Sequence, residues 1–584
     1  MRLIVDIINT KVEFDERDEY LKGEFIKQAH QKLGAREQGF IHNPRYKAGI
    51  WDGIIDFYNI QDDTFPTGLL NIMEELLGDM QSQYGFQYEI VDDRPDPFLY
   101  PEDMSKEIVL KDNGVGEITL RNYQYSAVRE SISNYTGIIH AATNAGKTEV
   151  AGGLMQEILP FLERGERIAF FTDKKEIFEQ SALRIEERLG IKVGMIGGGK
   201  KDIQQVTFVM IPTVNANLKD PEKGVKLTAK EQLYKKISKQ VLPKFEGGKN
   251  QRKLLGMYIQ RFEPKTKADL KLLEELQKIY DTCGTDNSVL MKLRNYNAMY
   301  TDTVRKKNKK VFEKHEYIRE FLDSVAVMIC DEAHHTGSDT WYNSLMSCKN
   351  AQYRIGLTGS IDKKNELLNM RLNALFGGVI SRVENDYLIS EGHSAKPTIR
   401  IFPVSAPKNI EKVNQYQTAY DKGIVNNEYR NTLIAKLGNL WYTKDKGVLI
   451  IVNHIKHGEN ISELLDKLEV EHYFIHGELD DDTRREKLQD MRTGKLKVMI
   501  ATSIVDEGVD ISGIHALILA AGGKSLRQTL QRVGRALRKK KDDNTCQVFD
   551  FTDYTNKFLL SHSKERRKIY IDEKFDIVDI QPKN

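Results

Sequence analysis

The chain is poor in cysteine and lacks long apolar segments. None of its four cysteines stands in a Cys-x-x-Cys pair, so the spacing of a zinc site is absent and we expect reduced thiols in a cytoplasmic protein. No apolar run approaches the ~20 residues that cross a bilayer. The N-terminal segment does not have a basic start followed by an apolar core, so we do not expect a secretory signal. The four residues are Cys283, Cys330, Cys348 and Cys546.

A strong net charge is also lacking. Lys and Arg number 87 and Asp and Glu number 85 among 584 residues, which leaves a net charge of +2. Binding to a polyanion would therefore depend on a local basic patch. One such stretch exists, because residues 219–318 carry about 24 Lys and Arg against about 13 Asp and Glu. The rest of the chain is consequently net acidic.

Changes in composition and residue pattern divide the chain into several regions. A charged fraction of 29% and a hydrophobic fraction of 40% are typical of a soluble globular protein. Runs of β-branched residues alternate with helical patterns, which indicates βαβ units around parallel sheets. The predicted parts are an N-terminal α+β domain (1–105), a first α/β lobe (106–218 and 323–395), a basic helical insertion within it (219–322), a second lobe (396–560) and a C-terminal tail (561–584).

A phosphate-binding loop is predicted after the strand near residue 140. Its last three residues read Gly-Lys-Thr before a helix, although alanine stands at the first glycine position of the usual pattern. Backbone N–H groups and the helix N-terminus would surround phosphates, Lys147 would add a point charge, and Thr148 would bind Mg²⁺. The predicted nucleotide-binding residues are Ala141, Ala142, Thr143, Asn144, Ala145, Gly146, Lys147 and Thr148.

Two carboxylates follow a second apolar strand. In the segment Val325–His334 the strand ends at Asp331 and Glu332. Asp331 would hold Mg²⁺ and Glu332 would polarise the attacking water, so ATP with Mg²⁺ is the predicted cofactor. An isolated Asp-Glu pair is common, but together with the upstream loop it predicts an ATP hydrolase.

Shorter sequence motifs flank the phosphate-binding loop and the Asp-Glu pair. Arg121 and Gln124 precede the loop, and Gln124 could both donate to and accept from an adenine edge, although an ordinary helix start is the simpler interpretation. Thr358 and Ser360 follow another strand and could couple the nucleotide site to domain movement, although a Thr-Gly-Ser turn is common.

The distal lobe contributes a cationic helix. Arg535 and Arg538 are spaced to face one way and could act as arginine fingers beside Gln531, whereas a solvated basic face is the alternative. Gly534 inside this helix would need a reason such as close packing. Gly508 and Asp510 follow a strand of the same lobe, where Gly508 permits a tight turn and Asp510 could contact nucleotide.

The order of these motifs resembles superfamily 2 helicases. The motifs are Leu-Arg-x-Tyr-Gln (120–124), Ala-x-Thr-x-x-Gly-Lys-Thr (141–148), Asp-Glu-Ala-His (331–334), Thr-Gly-Ser (358–360), Ala-Thr-x₄-Glu-Gly-Val-Asp (501–510) and Gln-Arg-x-Gly-Arg-x-x-Arg (531–538). Residues 43–53, 62–70 and 567–575 are similar to the UvsW-type helicases of T-even bacteriophages, which remodel branched DNA. The insertion has no clear counterpart in that family.

The resemblance implies a fold, an activity and partners. The fold class would be α/β, with two tandem RecA-like lobes, and the activity would be ATP-dependent unwinding or remodelling of branched DNA, with 3′-to-5′ polarity and a role in recombination, repair or replication restart. Branched, forked or single-stranded DNA would be the partner, with recombination or replication proteins as further candidates. An RNA helicase and a translocase that does not separate strands remain alternatives, because the motor motifs contact mainly backbone.

Three surfaces are predicted to bind the nucleic acid along which the protein would move, here called the track. The first is in the N-terminal domain, where basic and aromatic side chains could neutralise phosphates and stack on bases; Trp51 could equally be a core residue. The second follows strand ends of the lobes, and the third is the insertion, whose densest cluster spans residues 305–310. The predicted residues of the first two surfaces are Arg45, Tyr46, Lys47, Trp51, Thr172, Thr213 and Thr502.

Overall fold

The structure is a computed structural model that describes residues 1–16, 18–114, 116–362, 364–502, 513–525, 533–534 and 544–581, with the backbone alone for Glu176 and Asp481. Two compact units divide it, residues 213–323 and the remainder. Across these described ranges, no helix is long and apolar enough to cross a membrane. The four cysteines are free and buried.

The N-terminal domain is built on a four-stranded sheet of order β5-β2-β1-β6. Buried residues recur every fourth position on its first helix, at Phe25, Ala29 and Leu33, so one helical face covers the sheet. Its elements are β1 (Arg2–Val5), β2 (Asn9–Glu13), α1 (Lys22–Leu33), β3 (Gly34–Arg36), α2 (Pro44–Lys47), β4 (Ile54–Asp56), β5 (Thr64–Pro66), α3 (Leu70–Tyr84) and β6 (Glu89–Asp92).

A hairpin and a βα series begin the first lobe. The hairpin strands pair antiparallel, and the later strands carry the apolar runs seen in the sequence. The elements are β7 (Val109–Asp112), β8 (Gly116–Thr119), α4 (Asn122–Asn134), β9 (Thr136–Ala141), α5 (Lys147–Ile158), β10 (Arg167–Thr172), α6 (Lys175–Leu189), β11 (Gly194–Gly197), β12 (Lys200–Asp202), β13 (Val206–Met210) and α7 (Ile211–Asn217).

The second compact unit is helical and has its own core. Leu255, Leu272, Leu276 and Leu293 are among the residues buried at its centre. Thr228, Thr266 and Thr285 each cap a helix through the hydroxyl, which satisfies backbone donors at its first turn. The helices are α8 (Ala229–Lys236), α9 (Gln251–Arg261), α10 (Lys267–Thr282), α11 (Asp286–Lys307) and α12 (Lys309–Asp323).

The first lobe is completed by strands that join the same sheet. The sheet order is β12-β11-β13-β10-β14-β15-β9-β16, and its strands pair parallel except β11 with β12. Every residue of β14 and β15 is buried, which accounts for their unbroken apolar runs. The remaining elements are β14 (Val325–Cys330), α13 (Asp339–Met346), β15 (Tyr353–Thr358), α14 (Glu366–Phe376), β16 (Val379–Val383) and α15 (Asn385–Ser390).

The second lobe contains a seven-stranded sheet of order β19-β20-β18-β21-β22-β17-β23. All of its strand pairs are parallel. Its elements are β17 (Lys396–Val404), α16 (Tyr416–Tyr420), α17 (Glu428–Tyr442), β18 (Gly447–Ile451), α18 (Ile455–Asp466), β19 (His472–Ile475), α19 (Asp481–Thr493), β20 (Val498–Ala501), β21 (Ile514–Leu519), β22 (Thr545–Asp553), α20 (Lys557–Asp572) and β23 (Asp576–Asp579).

The C-terminal residues belong to this lobe, which corrects the separate tail expected from residue 561. That boundary falls inside α20, and β23 pairs with β17 from Thr398 to Ile401. The Arg566 guanidinium on α20 donates to Asp550 of β22, and both side chains are buried. The helix and the last strand therefore complete the second lobe.

The N-terminal domain packs on helix α14 of the first lobe. Leu367 and Ala374 of α14 belong to the N-terminal core. Gly68 lies so close to the carbonyl oxygens of Asn373 and Ala374 that a side chain there would collide with them. Since α14 follows the Thr358–Ser360 turn, the domain is seated beside a segment predicted to couple the nucleotide site to movement.

Candidate active site

The predicted phosphate loop connects β9 to α5. Gly146 caps α5 in the left-handed region with φ 77°, and Asn144 has φ 74°. A Cβ on Gly146 would also collide with the Gln124 amide nitrogen, so this position requires glycine. Ala141 ends β9 opposite Val383 and is not among the positive-φ residues. Strand geometry therefore tolerates alanine at the first position of the loop pattern.

Helix α4 braces this loop. Gln124 Nε2 donates to the Ala145 carbonyl at 2.9 Å, and the Tyr123 hydroxyl donates to the same oxygen at 3.1 Å. Gln124 Oε1 accepts from the Arg121 backbone N–H at 2.9 Å. An amide offers two N–H groups and two lone pairs, so one donor and one acceptor remain, and the adenine contact of Gln124 stays a prediction.

The two carboxylates lie at the end of β14, which runs between β10 and β15. The Asp331 N–H donates to the Phe171 carbonyl at 3.0 Å, and the Glu332 N–H donates to Asp331 Oδ1 at 3.0 Å. Burial, reinforced by the neighbouring Glu332 charge, raises the pKa of Asp331 to about 7. Burial also acts against ionisation of Glu332, but Lys147 and His334 outweigh it and hold its pKa below the ordinary value.

A series of side-chain contacts connects the Asp-Glu-Ala-His segment (331–334) to the Thr-Gly-Ser turn (358–360). His334 Nδ1 lies 3.2 Å from Glu332 Oε2 and 3.1 Å from Thr358 Oγ1. The Thr358 hydroxyl donates to the Ser360 carbonyl at 3.0 Å. A Cβ on Gly359 would lie 3.4 Å from Lys147 Nζ, so the turn also lies beside the phosphate-loop lysine. The structure thus brings the two predicted coupling residues into the site.

A cavity of about 950 Å³ lies over these groups. It includes Arg121, Gln124 and the carboxylates, but Ala141 and Ala145 are not in its lining. Sequence reasoning missed several lining residues, because they belong to no motif; on α6 only a helical spacing could have indicated them. The lining residues are Ile118, Thr119, Leu120, Arg121, Gln124, Ala142, Thr143, Asn144, Gly146, Lys147, Thr148, Glu149, Ile177, Gln180, Ser181, Arg184, Asp331, Glu332 and Arg492.

The donor set of this cavity fits a nucleotide with Mg²⁺. Thr148 and Asp331 both line it, and the described part of the chain holds no cluster of three His, Cys, Asp or Glu suited to a metal. Mg²⁺ is commonly held by one or two protein oxygens together with substrate phosphates and water. Thr148 and Asp331 would supply two such protein oxygens. The raised pKa of Asp331 marks a buried carboxyl whose charge a nearby cation would stabilise.

The second lobe reaches the phosphate loop at Gly534. A Cβ on Gly534 would lie 2.6 Å from Thr143 Cβ, and Asn144 Nδ2 donates to the Gly534 carbonyl at 3.4 Å. The close packing that the sequence suggested for this glycine is therefore observed. The other predicted residues of this lobe's motifs lie outside the described residues; they are Gly508, Asp510, Gln531, Arg535 and Arg538.

The predicted track-binding residues differ in exposure. Arg45, Lys47 and Tyr46 are exposed on or beside α2, whose N-cap is the Asn43 side chain. Trp51 is half-buried and donates through Nε1 to the Ile54 carbonyl at 2.6 Å. Its ring is thus partly engaged in the domain, and its contact with a track stays a prediction.

The strand-end threonines predicted to contact DNA are mostly buried. Thr172 is 2% exposed and Thr502 is 8% exposed, and their contact with DNA stays a prediction. Thr213 is half-buried and belongs to the helical unit. Strand-end position alone predicted these residues, whereas packing by neighbouring elements determines whether a side chain reaches solvent.

Two family models match the chain. Residues 117–363 match the type III restriction enzyme res subunit, and residues 430–540 match the helicase conserved C-terminal domain. These segments contain the phosphate loop, the Asp-Glu-Ala-His box and the distal arginine motif. The chain therefore carries the paired domains of a superfamily 2 helicase, as its motifs predicted.

Within that class the chain resembles the ATP-dependent DNA helicase uvsW of Enterobacteria phage T4, with 26% identity over 280 residues that cover 44% of this chain and 55% of the phage protein. It is also similar to the DNA 3′-5′ translocase XPB2 of Sulfurisphaera tokodaii, with 23% identity over 75% of this chain and 84% of that protein. The crystal structure of T4 UvsW aligns with 99% of this chain and 98% of its own at 19% identity and a TM-score of 0.41. The sequence match thus spans about half of the phage relative.

Proposed function

We propose that the protein couples Mg²⁺-dependent ATP hydrolysis to movement along DNA and unwinds or remodels branched DNA. The observation that carries the proposal is that one cavity is lined by Lys147, Thr148, Asp331 and Glu332, with His334 linking it to the Thr358 turn. A phosphate loop, a metal-binding carboxylate and a general base are the parts that phosphoryl transfer to water requires. The phage relative is a DNA helicase and the archaeal relative is a DNA translocase, which supports DNA as the polymer along which the protein moves.

Each side chain has a separate task in this mechanism. Lys147 and the loop N–H groups bind and orient the phosphates, while Thr148 and Asp331 would hold Mg²⁺, which would supply charge stabilisation when bound. Glu332, kept ionised by Lys147 and His334, orients water and accepts its proton as the water oxygen bonds to the terminal phosphorus and the bond from that phosphorus to the nucleoside diphosphate breaks. His334 transmits the state of Glu332 to Thr358 through contacts of 3.2 and 3.1 Å.

The finer assignments belong to the same proposal. We infer 3′-to-5′ polarity from the archaeal relative, which is a DNA 3′-5′ translocase, and a role in recombination, repair or replication restart with proteins of those processes as partners. The exposed basic segment around Arg45 and Lys47 suits phosphate contacts without sequence readout. Translocation without strand separation is the second candidate, because the archaeal relative covers 75% of this chain and is named a translocase.

The first test is ATP turnover with no polymer, duplex DNA, single-stranded DNA, forked DNA and RNA. We expect the largest stimulation by forked DNA, and we expect Glu332→Gln to lower turnover at least a hundredfold because the general base is lost. Glu163→Gln is the matched control, since Glu163 is exposed before β10, at the strand end opposite the cavity. Stimulation by RNA alone would replace DNA as the track, and equal turnover in both variants would contradict the catalytic role of Glu332.

A strand-displacement assay then separates the two DNA activities. Release of a labelled strand from a fork would support unwinding. Forked-DNA-stimulated hydrolysis without strand release would support the translocase instead.

A further inference from the structure

Arg371 on α14 holds the turn that follows the two candidate catalytic carboxylates. Residues Ala333–Gly337 form a 3₁₀ turn directly after Glu332. The Arg371 guanidinium donates to the Gly337 carbonyl, at the end of this turn, at 2.5 Å, and it also pairs with Asp339, the first residue of α13. The Arg371 side chain is 7% exposed, so charge-assisted hydrogen bonds shielded from water fix the end of the turn.

The same turn carries the histidine of the candidate active site. His334 lies within the turn, where its Nδ1 is 3.2 Å from Glu332 Oε2 and 3.1 Å from Thr358 Oγ1. Gly337 also packs against α14, because a Cβ on this glycine would lie 3.3 Å from Cδ1 of Leu368. A displacement of α14 would therefore shift the turn, and with it His334.

An aromatic pair connects Arg371 to the N-terminal domain. Arg371 Cζ lies 5.3 Å from the centre of the Tyr342 ring on α13, which is within the range of a cation–π contact. The Tyr342 ring also packs edge-to-face on Phe57, with ring centroids 6.0 Å apart and an interplanar angle of 86°. Because Phe57 belongs to the N-terminal core, Tyr342 contacts both that core and Arg371.

Strand β4, which ends one residue before Phe57, anchors helix α2 with its exposed cations. Trp51 Nε1 donates to the Ile54 carbonyl of β4 at 2.6 Å. Tyr46 of α2 packs edge-to-face on Phe40, with ring centroids 4.7 Å apart, and the chain before Phe40 forms β3, the partner strand of β4. The segment proposed to bind DNA is therefore fixed to the strand that leads to Phe57.

We propose that Arg371 is a positioning residue through which DNA held by the N-terminal domain stimulates ATP hydrolysis. DNA bound at α2 shifts β4 and Phe57, and the Tyr342 ring passes this shift to Arg371. Arg371 then moves the turn that places His334 beside Glu332. The inference rests on the proposed function, because it requires a DNA track and hydrolysis of ATP at this site. It assigns the N-terminal domain an activating role in addition to DNA binding.

The first test compares Arg371→Met and Arg371→Lys in the full chain, by ATP turnover without polymer and with saturating forked DNA. We expect Arg371→Met to lower the ratio of DNA-stimulated to DNA-free kcat about fivefold, with the half-saturating DNA concentration changed less than about threefold, because the DNA-binding side chains are intact. Lysine should restore part of the ratio, since it keeps the charge but not the paired donors.

Arg382→Met is the matched control for the loss of an arginine. Arg382 is an exposed residue of β16 in the same lobe, with the Glu384 carboxylate 4.0 Å away. Its ratio should equal that of the unchanged protein. A proportional fall of both turnover rates in Arg371→Met would show that Arg371 only maintains the site, and an unchanged ratio would likewise overturn its role in stimulation.

Asp339→Asn keeps the proposal testable if Arg371→Met does not fold. The Asp339 side chain is 79% exposed, so this change removes the ion pair that orients Arg371 without opening the core. The ratio should fall about twofold, because the contact with Gly337 is kept. A ratio equal to that of the unchanged protein would contradict the positioning of the turn by this pair.

A double-mutant cycle tests the connection through the aromatic ring. Tyr342→Leu should lower the same ratio, and adding Arg371→Met should lower it little further, because both changes interrupt one series of contacts. Effects that multiply in the double variant would overturn the connection through Tyr342.

Stimulation of the unchanged protein separates this inference from the function on which it rests. If forked DNA stimulates the unchanged protein and Arg371→Met keeps the same ratio, the role of Arg371 is wrong and the proposed function stands. If no polymer stimulates the unchanged protein, the proposed function fails, and the role of Arg371 fails with it.

Discussion

At the scale of single residues, the nucleotide site depends on close approaches that allow only certain side chains. Gly146 combines φ 77° with a neighbouring Gln124 amide that leaves no room for a Cβ. Gln124 in turn holds the Ala145 carbonyl at 2.9 Å. The loop conformation is thus maintained by a contact between two motifs that are 22 residues apart in the sequence.

Replacement of Gly146 by alanine should impair catalysis more than the backbone cost alone. The positive φ costs about 1–2 kcal/mol for an L residue, and the collision with Gln124 additionally displaces the loop. We expect ATP turnover to fall at least tenfold. Gly85→Ala is the matched control, because Gly85 has φ 72° with nothing within 4 Å of a Cβ. Similar turnover in the two variants would show that the Gln124 contact does not matter for catalysis.

At the scale of elements, buried polar contacts hold the helices of the second lobe together. His457 on α18 is fully buried, and its Nε2 lies 3.0 Å from Asn431 Oδ1 on α17. Asn431 Nδ2 donates to the Val425 carbonyl at 2.9 Å, which orients the amide. His457 Nε2 must therefore be the donor in this contact.

The α17–α18 contact should weaken in acid. Burial, with help from the Arg430 charge, lowers the pKa of His457 well below its ordinary value of 6.5. The unfolded chain then binds a proton first, so the stabilising contribution is present above about pH 6.5 and is lost as the pH falls, by up to ~1.4 kcal/mol per pH unit.

Denaturant unfolding between pH 5 and pH 7.5 measures this effect. His457→Gln keeps a donor to Asn431 but cannot titrate, so its free energy of unfolding should depend less on pH than that of the unchanged protein. Parallel pH dependences in the two proteins would exclude His457 as the source.

At the scale of the whole molecule, the basic insertion is a compact unit with a separate core. Residues 213–323 bury their own leucines and cap their own helices. We predict that this segment folds when produced alone, with a helical circular dichroism spectrum and a cooperative thermal transition. Leu276→Asp, which places a charge in that core, should abolish the transition. A gradual, non-cooperative loss of helix in the unchanged segment would contradict the prediction.

The densest cation cluster of the insertion is partly neutralised inside the unit. Arg305 pairs with Glu316 at 2.8 Å and Lys306 with Asp302 at 2.7 Å, whereas the Lys309 partner Glu313 is 3.8 Å away. Exposed pairs are weak, so these cations remain able to exchange partners for phosphates. Binding of this cluster to DNA therefore stays a prediction.

Reversal of Lys306, Lys309 and Lys310 to glutamate tests that prediction. Each lost phosphate contact should reduce the slope of log K against log salt by about 0.9, so DNA binding should weaken and depend less on salt. Reversal of Lys249, Lys253 and Arg261, exposed at and near α9, changes the net charge equally. An unchanged slope in the first variant would remove residues 306–310 from the DNA site.

The sequence by itself predicted the candidate nucleotide site and determined the lobe architecture. Lys147, Thr148, Asp331 and Glu332 could be predicted because each lies in a short motif directly after a strand, and the carboxyl ends of parallel strands meet at one edge of a sheet. Close packing at Gly534 could be suggested from the sequence because glycine is unfavourable inside a helix.

Only the tertiary structure decided which residues from distant segments join that site. Arg492 and Arg184 line the cavity although they lie in different lobes, Thr172 and Thr502 are buried by neighbouring elements, and β23 completes a sheet begun at residue 396. Such outcomes depend on strand register and helix packing between segments up to several hundred residues apart. Local propensity and motif spacing carry no information about those contacts, so they could not be predicted from the chain alone.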